Sequence, residues 1–152
     1  MALLVGCSSK VESVDDSCNA VAEPTNRVPM RVVIGDRPAA TGGTVVDGTY
    51  ESVDRIDYEP KPVSWTTPDT SDRFVVRGDL ISTAAREPPD APTDRRTFRM
   101  TFSGTTLLYR VVCPADGSEI EFGYTATRDE IRFYKPPTGP TGYVFVLKRV
   151  GP

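Results

Sequence analysis

The chain has 152 residues, of which 38% are apolar, 26% charged and 9% aromatic. This composition is typical of one globular domain, and no apolar run approaches the roughly 20 residues that span a bilayer. The net charge is −3, from 18 Lys and Arg against 21 Asp and Glu, which argues against a nucleic-acid partner. Histidine is absent, so the commonest general base and the commonest transition-metal ligand are excluded.

The first feature in chain order is a short apolar segment that ends in a cysteine. Positions 4–7 read Leu-Val-Gly-Cys, and this run resembles a bacterial lipobox. The resemblance implies cleavage before Cys7, attachment of a diacylglyceryl group to its thiol, and anchoring without a transmembrane helix. Only six residues precede Cys7 and none is charged, so we expect a truncated signal (residues 1–7) whose true start lies upstream. The alternative is that Met1 is the true start and Cys7 an ordinary thiol.

The remaining cysteines form a candidate disulfide. If Cys7 is acylated, Cys18 and Cys113 are left as a pair, 95 positions apart. In the chain-entropy account, a crosslink that closes such a loop stabilises the folded state by about 4–5 kcal/mol. It requires an oxidising compartment, which an exported lipoprotein reaches. The alternative is two buried free thiols in a cytosolic protein; a zinc site is disfavoured because neither a Cys-x-x-Cys motif nor a histidine is present.

Residues 8–27 are polar and mixed, and we interpret them as a tether that is ordered only near Cys18. The single β-domain is expected to occupy residues 28–152. Residues 28–34 predict an edge strand, because Pro29 cannot donate a hydrogen bond within a sheet. Residues 38–48 contain Pro, Gly-Gly and Asp-Gly, which are turn residues.

Seven further strands are predicted, and they occupy residues 49–58, 73–83, 96–103, 105–113, 118–127, 130–134 and 142–150. Gly78-Asp79 bends or divides the second of them. Residues 96–103 alternate between apolar and polar side chains, and no segment shows sustained helical periodicity. Short strands joined by tight turns predict a sandwich or barrel. The near-minimal turns favour an antiparallel up-and-down meander of seven or eight strands, which removes its exposed edges by closing into a barrel.

A resemblance to a known class of proteins rests on several short motifs. The Gly48-Thr49-Tyr50 run that opens a long strand, and the meander after it, look like small bacterial lipoproteins with a lipocalin-like (calycin-like) β-barrel. The run Thr-Gly-Gly-Thr at 41–44 and the Cys-Pro at 113–114 resemble uncharacterised lipoproteins of proteobacteria and myxobacteria. The resemblance covers residues 41–150. The Gly-x-Trp signature of true lipocalins is absent, because Tyr50 takes the place of the tryptophan.

Motifs that carry catalytic chemistry are missing from the sequence. The chain has no Gly-x-Ser-x-Gly, no phosphate-binding glycine loop and no EF-hand pattern. The carboxylate pairs Asp69/Asp72, in a predicted loop, and Glu119/Glu121, on one strand face, are expected at the solvated surface. The arginines of the later strands are interpreted as outward-facing, with an anionic ligand as the alternative; they are Arg95, Arg96, Arg99, Arg110 and Arg132. We therefore expect no enzyme activity, no metal and no cofactor.

The function expected from these features is a non-catalytic binding module for a small apolar or amphipathic ligand. The resemblance places it in the bacterial cell envelope, held to a membrane through Cys7 and facing the periplasm or the cell surface. The alternative is a structural or interaction lipoprotein whose barrel is filled and which binds another envelope protein.

Three residues are candidates for contact with such a ligand. Trp65 lies in a long predicted loop and is a candidate lid, and Tyr109 and Tyr124 lie on predicted strands. The loops at 59–72, 85–95 and 135–141 are expected to shape access to the barrel.

Overall fold

The computed structural model describes residues 18–152, so the lipobox, Cys7 and most of the predicted tether lie outside the described residues. The described residues form nine strands: β1 (Met30–Ile34), β2 (Gly48–Glu59), β3 (Ser71–Arg77), β4 (Leu80–Arg86), β5 (Asp94–Ser103), β6 (Thr106–Cys113), β7 (Glu119–Ala126), β8 (Glu130–Lys135) and β9 (Gly142–Gly151). Between residues 18 and 152 there is no helix long and apolar enough to cross a membrane.

Eight of these strands form a closed antiparallel barrel. Each strand from β2 to β9 pairs with the next, and β2 also pairs with β9, which closes the sheet. The all-β meander and the division at Gly78-Asp79 into β3 and β4 are therefore confirmed, and the barrel is consistent with a lipocalin-like fold. β1 pairs in parallel with the second half of β2, as an extra strand.

Alternation of apolar and polar residues decides which side chains fill the barrel. In β5, Phe98 and Met100 face inward and are 7% and 4% exposed, whereas Arg99 between them forms an ion pair with Asp79 outside. The same alternation in the neighbouring strands builds one continuous core; its largest fully buried side chains are Tyr50, Ile81, Leu107, Ile131, Leu147 and Val76.

One end of the barrel is closed by residues 43–47, which we call the plug. The plug runs from β7 across this end to the start of β2, and Val45 packs against the core. The Tyr50 hydroxyl donates a hydrogen bond to the Val46 carbonyl at 2.7 Å, and the Tyr124 hydroxyl donates one to the Gly43 carbonyl at 3.2 Å. The two phenols therefore fix the plug to the core beneath it.

Residues 18–42, which we call the belt, wrap around the outside of the barrel. The belt begins at β6, where Cys18 and Cys113 lie at disulfide distance with their Cα atoms 5.3 Å apart. The Asn19 side chain then donates hydrogen bonds to the carbonyls of Thr83 on β4 and Arg96 on β5. Residues 18–27, which the sequence analysis assigns to a tether, therefore lie against the barrel wall.

The middle of the belt enters the gap where β2 and β3 separate. The Asn26 amide donates to the Ser52 carbonyl at 2.6 Å, and the Ser71 hydroxyl donates to the Asn26 carbonyl at 2.5 Å. A bridge between Val28 and Thr70 follows, and β1 then continues beside β2. The belt therefore supplies the hydrogen bonds that β2 and β3 cannot give each other at this end.

The last part of the belt crosses β9 and β8 to reach β7. The Arg37 N–H donates to the Pro140 carbonyl at 2.7 Å, and its guanidinium lies 5.5 Å from the centroid of the Tyr134 ring. Gly42 then pairs with Thr125. An apolar cluster on the outer face lies beneath this part of the belt; it comprises Ile56, Tyr134, Val144 and Val146.

The disulfide fixes the first residue of the belt, so its removal is expected to lower stability without changing the fold. Replacing Cys18 and Cys113 together by Ser should reduce the free energy of unfolding by about 3–5 kcal/mol, because the crosslink closes a loop of 95 residues. Urea denaturation of oxidised protein measures this change, and the Cys7→Ser variant is the control. A loss below about 1 kcal/mol would show that the crosslink does not constrain the unfolded chain.

Gly43 is the point where the plug leaves β7, and a side chain there is expected to displace it. A Cβ on Gly43 would overlap the Ala126 carbonyl oxygen, whereas a Cβ on Gly35 meets nothing within 4 Å. Both residues have positive φ, +125° and +135°, so both substitutions carry similar backbone strain. Gly43→Ala should therefore cost about 1–3 kcal/mol more than Gly35→Ala in thermal or urea unfolding. Equal losses would mean that the plug does not depend on this close approach.

Candidate ligand-binding cavity

The end of the barrel opposite the plug contains a cavity of about 250 Å³. Its walls are the inner faces of strands β3 to β9; the lining residues are Thr70, Asp72, Phe74, Thr83, Ala85, Glu87, Asp94, Arg96, Phe98, Tyr109, Ile120, Phe122, Phe133 and Phe145. The meander brings the β2–β3, β4–β5, β6–β7 and β8–β9 connections to this end, and the β6–β7 connection, residues 114–118, was not among the predicted access loops. The three predicted access loops, at 59–72, 85–95 and 135–141, therefore surround the opening.

Tyr109 lies at the centre of an aromatic floor. Its ring centroid is 5.2 Å from Phe98, 5.3 Å from Phe122 and 5.6 Å from Phe133. Its hydroxyl is buried and has no hydrogen-bond partner among the described residues. Burial raises the pKa of this phenol well above its usual value, so the group remains a neutral donor and acceptor. A buried polar atom without a partner is rare in proteins, and a ligand or a water would satisfy this one.

Charged side chains ring the mouth above this floor. Asp72, Glu87, Asp94 and Arg96 all line the cavity, and Arg96 Nε lies 3.0 Å from the Asp94 carboxylate. Asp72, predicted in a solvated loop, and Arg96, predicted on the outer face, both line the cavity, so these two predictions are wrong. β3 begins at Ser71, which turns the next side chain inward. Arg96 shares its face with Phe98, two residues along the same strand.

A bulge in β2 adds a further polar pair to the inner face. The pairing of β2 with β9 shifts by one residue between Ser52 and Asp54, so that Arg55 and Asp57 lie opposite Phe145 and Tyr143. The Arg55 guanidinium lies 5.1 Å from the Phe145 ring centroid and 3.9 Å from the Glu87 carboxylate. Sequence analysis missed these two residues because a single inserted residue reverses the alternation and has no local signature.

Desolvation is the largest influence on the pKa of two inward-facing carboxylates, Asp57 and Asp72. Burial raises the pKa of Asp57 and of Asp72. At Asp72 the Thr70 hydroxyl and, to a lesser extent, the Arg55 charge lower the pKa and oppose this shift, whereas the nearby Glu87 carboxylate raises the pKa further. Asp72 forms no ion pair within residues 18–152, in contrast to Asp94 and Glu87.

The structure does not bring the three sequence-predicted ligand residues together. Tyr109 lines the cavity. Tyr124 lies at the plugged end, where its ring is 5.1 Å from that of Phe102. Trp65 lies in the β2–β3 connection at the open end, where it is 42% exposed and outside the cavity lining. A role for Tyr124 or Trp65 in ligand contact remains a prediction.

Comparison of the chain with protein-family models, with curated proteins and with solved structures found no match. Within residues 18–152, no group of three or more His, Cys, Asp or Glu side chains is placed to hold a metal ion. A proposal of function therefore rests on the cavity and the residues that line it.

Because Asp57 is buried, replacing its carboxylate by a neutral side chain is expected to increase the stability of the fold, by an amount that depends on pH. A carboxylate whose folded pKa is raised favours folding fully only below its unfolded pKa, near 3.8, and loses that contribution as the pH rises through the folded value. Asp57→Asn should therefore raise the melting temperature at pH 7, and the gain should shrink as the pH falls towards 3.8.

The control is Asp54→Asn on the outer face of the same strand, where the carboxylate forms a surface ion pair with Arg31 at 2.7 Å. Its substitution should leave stability within about 0.5 kcal/mol of the parent at pH 7. A lower melting temperature for Asp57→Asn at pH 7 would contradict the account of this site.

Proposed function

We propose that this protein is a non-catalytic binding module of the bacterial cell envelope, anchored through Cys7, that holds a small apolar or amphipathic ligand inside its barrel. The observation that carries the proposal is the cavity of about 250 Å³, whose aromatic floor contains a buried phenol without a protein partner. Ligand sites are typically concave and apolar, with a few polar groups that orient the ligand.

The cavity volume limits the size of this ligand. Sites for drug-sized molecules occupy roughly 300–1,000 Å³, so a cavity of about 250 Å³ suits a more compact molecule. Burial of about 200 Å² of apolar ligand surface supplies on the order of 5 kcal/mol before the costs of association. With about 1 kcal/mol more from a hydrogen bond to the Tyr109 hydroxyl, we expect a dissociation constant no lower than roughly 0.1 mM from these two contributions.

The composition of the lining supports the binding of an apolar or amphipathic molecule. The described residues that line the cavity are mainly apolar or aromatic, with the buried Tyr109 hydroxyl among them. The envelope assignment is supported by the lipobox-like run at 4–7 and by the paired Cys18 and Cys113, since disulfides persist in oxidising compartments.

A second candidate function is the interaction lipoprotein, and one observation favours it. β1 pairs only with β2 among the described strands, and it exposes Val32 by 38% and Ile34 by 52%. An exposed edge strand with apolar side chains is a common docking element for a partner chain. The cavity favours the first candidate, because a barrel that serves only as a scaffold needs no internal space.

The first candidate predicts saturable binding of a neutral, environment-sensitive naphthalene fluorophore. Ala85 lines the cavity, and Ala85→Phe should occupy part of it and weaken binding at least tenfold. Thr101→Phe adds the same ring on the exposed face of β5 and should leave the affinity unchanged. Absence of saturable binding, or equal weakening in both variants, would overturn the proposal.

A further inference from the structure

We propose that the ligand of this cavity is an amphipathic amine, whose ammonium group lies at Asp72 and whose compact apolar body lies on the aromatic floor. This inference rests on the proposed function and names the chemical class that the site selects.

Asp72 is a cavity-lining carboxylate without a cationic group within ion-pair distance among the described residues; the Thr70 hydroxyl and the charge of Arg55 are the favourable influences on it. It lines the cavity as the second residue of β3, and no side chain in the described part of the chain forms an ion pair with it. Of the two guanidinium groups near the mouth, Arg96 contacts Asp94 at 3.0 Å, and Arg55 lies 3.9 Å from Glu87 without a hydrogen bond to it. A half-buried charge without a partner is unfavourable, and a bound cation removes that cost.

The charges that face the mouth from each strand are negative in excess. β2 contributes Arg55 and Asp57, and β3 contributes Asp72. The remaining charges are Glu87 just after β4, Asp94 and Arg96 on β5, and Lys135 at the end of β8, whose ammonium lies 5.1 Å from the Phe122 ring centroid. Four carboxylates therefore face two guanidinium groups and one ammonium group, which leaves one negative charge in excess. An ammonium ion reduces this imbalance, whereas a carboxylate or phosphate head group increases it.

The floor suits the apolar body of such a ligand. It contains the rings of Phe98, Tyr109, Phe122 and Phe133, and the Lys135 ammonium lies 5.1 Å from the Phe122 ring centroid. The volume of about 250 Å³ accommodates a ring or a short branched chain rather than a long acyl chain. A compact amine satisfies both the charge and the volume.

The rival assignment is an anion at Arg55, because its Nε and Nη1 atoms have no hydrogen-bond acceptor among the described residues. Those two nitrogens are buried away from the cavity surface, and the guanidinium lies between the Phe145 ring and Glu87. A ligand anion that approaches Arg55 therefore also approaches the Glu87 carboxylate, which lies 3.9 Å from the guanidinium.

Three ligands that share one apolar body test the assignment: 3-phenylpropylamine, 3-phenylpropanol and 3-phenylpropanoate. Displacement of the naphthalene fluorophore, or calorimetry, gives each affinity. The amine should bind at least tenfold more tightly than the alcohol, and the carboxylate should bind most weakly. In Asp72→Asn the amine should fall to the affinity of the alcohol, whose own affinity stays the same. Asp69→Asn is the control: this carboxylate lies in the connection before β3, pairs with Arg27 at 3.2 Å and does not line the cavity, so its substitution should leave all three affinities unchanged.

The outcomes separate the inference from the proposed function. Equal affinities, or tightest binding of the carboxylate, would overturn the amine assignment and leave the binding module standing. Failure of all three ligands and of the fluorophore would overturn both. If Asp72→Asn does not fold, the pH dependence of binding to the unmodified protein tests the assignment. The affinity for the amine must fall on acidification, whereas the affinity for the alcohol must not. An amine affinity that is independent of pH through the protonation of Asp72 would reject the assignment.

Discussion

Pairing of β2 with β9 is the contact on which the rest of the structure depends. It converts a meander into a barrel, and it gives the alternating residues an inside and an outside. β2 is 12 residues long, and it pairs with β3 through its first half and with β1 through its second half while β9 covers the other edge. One bulge in this strand directs Arg55 and Asp57 inward, so the same pairing that closes the barrel also sets the polarity of its mouth.

The belt and the plug explain why the cavity lies at one end. The plug seals the barrel beneath Tyr50 and Tyr124, where the core is fully packed. At the other end the belt occupies the gap between β2 and β3 and satisfies their backbone, so the wall is completed without filling the interior. Residues 18–47 therefore close one end of the barrel and complete its wall at the other.

Much of the barrel was predictable from local patterns, and the site was predictable only in part. Alternation in residues 96–103 and the Gly78-Asp79 turn fix strands and faces, because both signals act within a few residues. The path of the belt depends on contacts between residues distant in sequence, such as Asn19 with Arg96 and Arg37 with Gly139, which no local pattern reveals. The inward direction of Asp72 depends on the residue at which β3 begins, and that of Arg55 depends on the bulge in β2. The alternation of apolar and polar residues predicts neither feature.

The central claim is that the protein carries a compact ligand inside its barrel. Native mass spectrometry of the protein released from the envelope of its own host tests this claim most directly. The account predicts a small additional mass that leaves on denaturation, carries an amine, and is absent from the Ala85→Phe variant prepared in the same way. A polypeptide mass without any addition, from protein that also fails to bind added ligands, would contradict it.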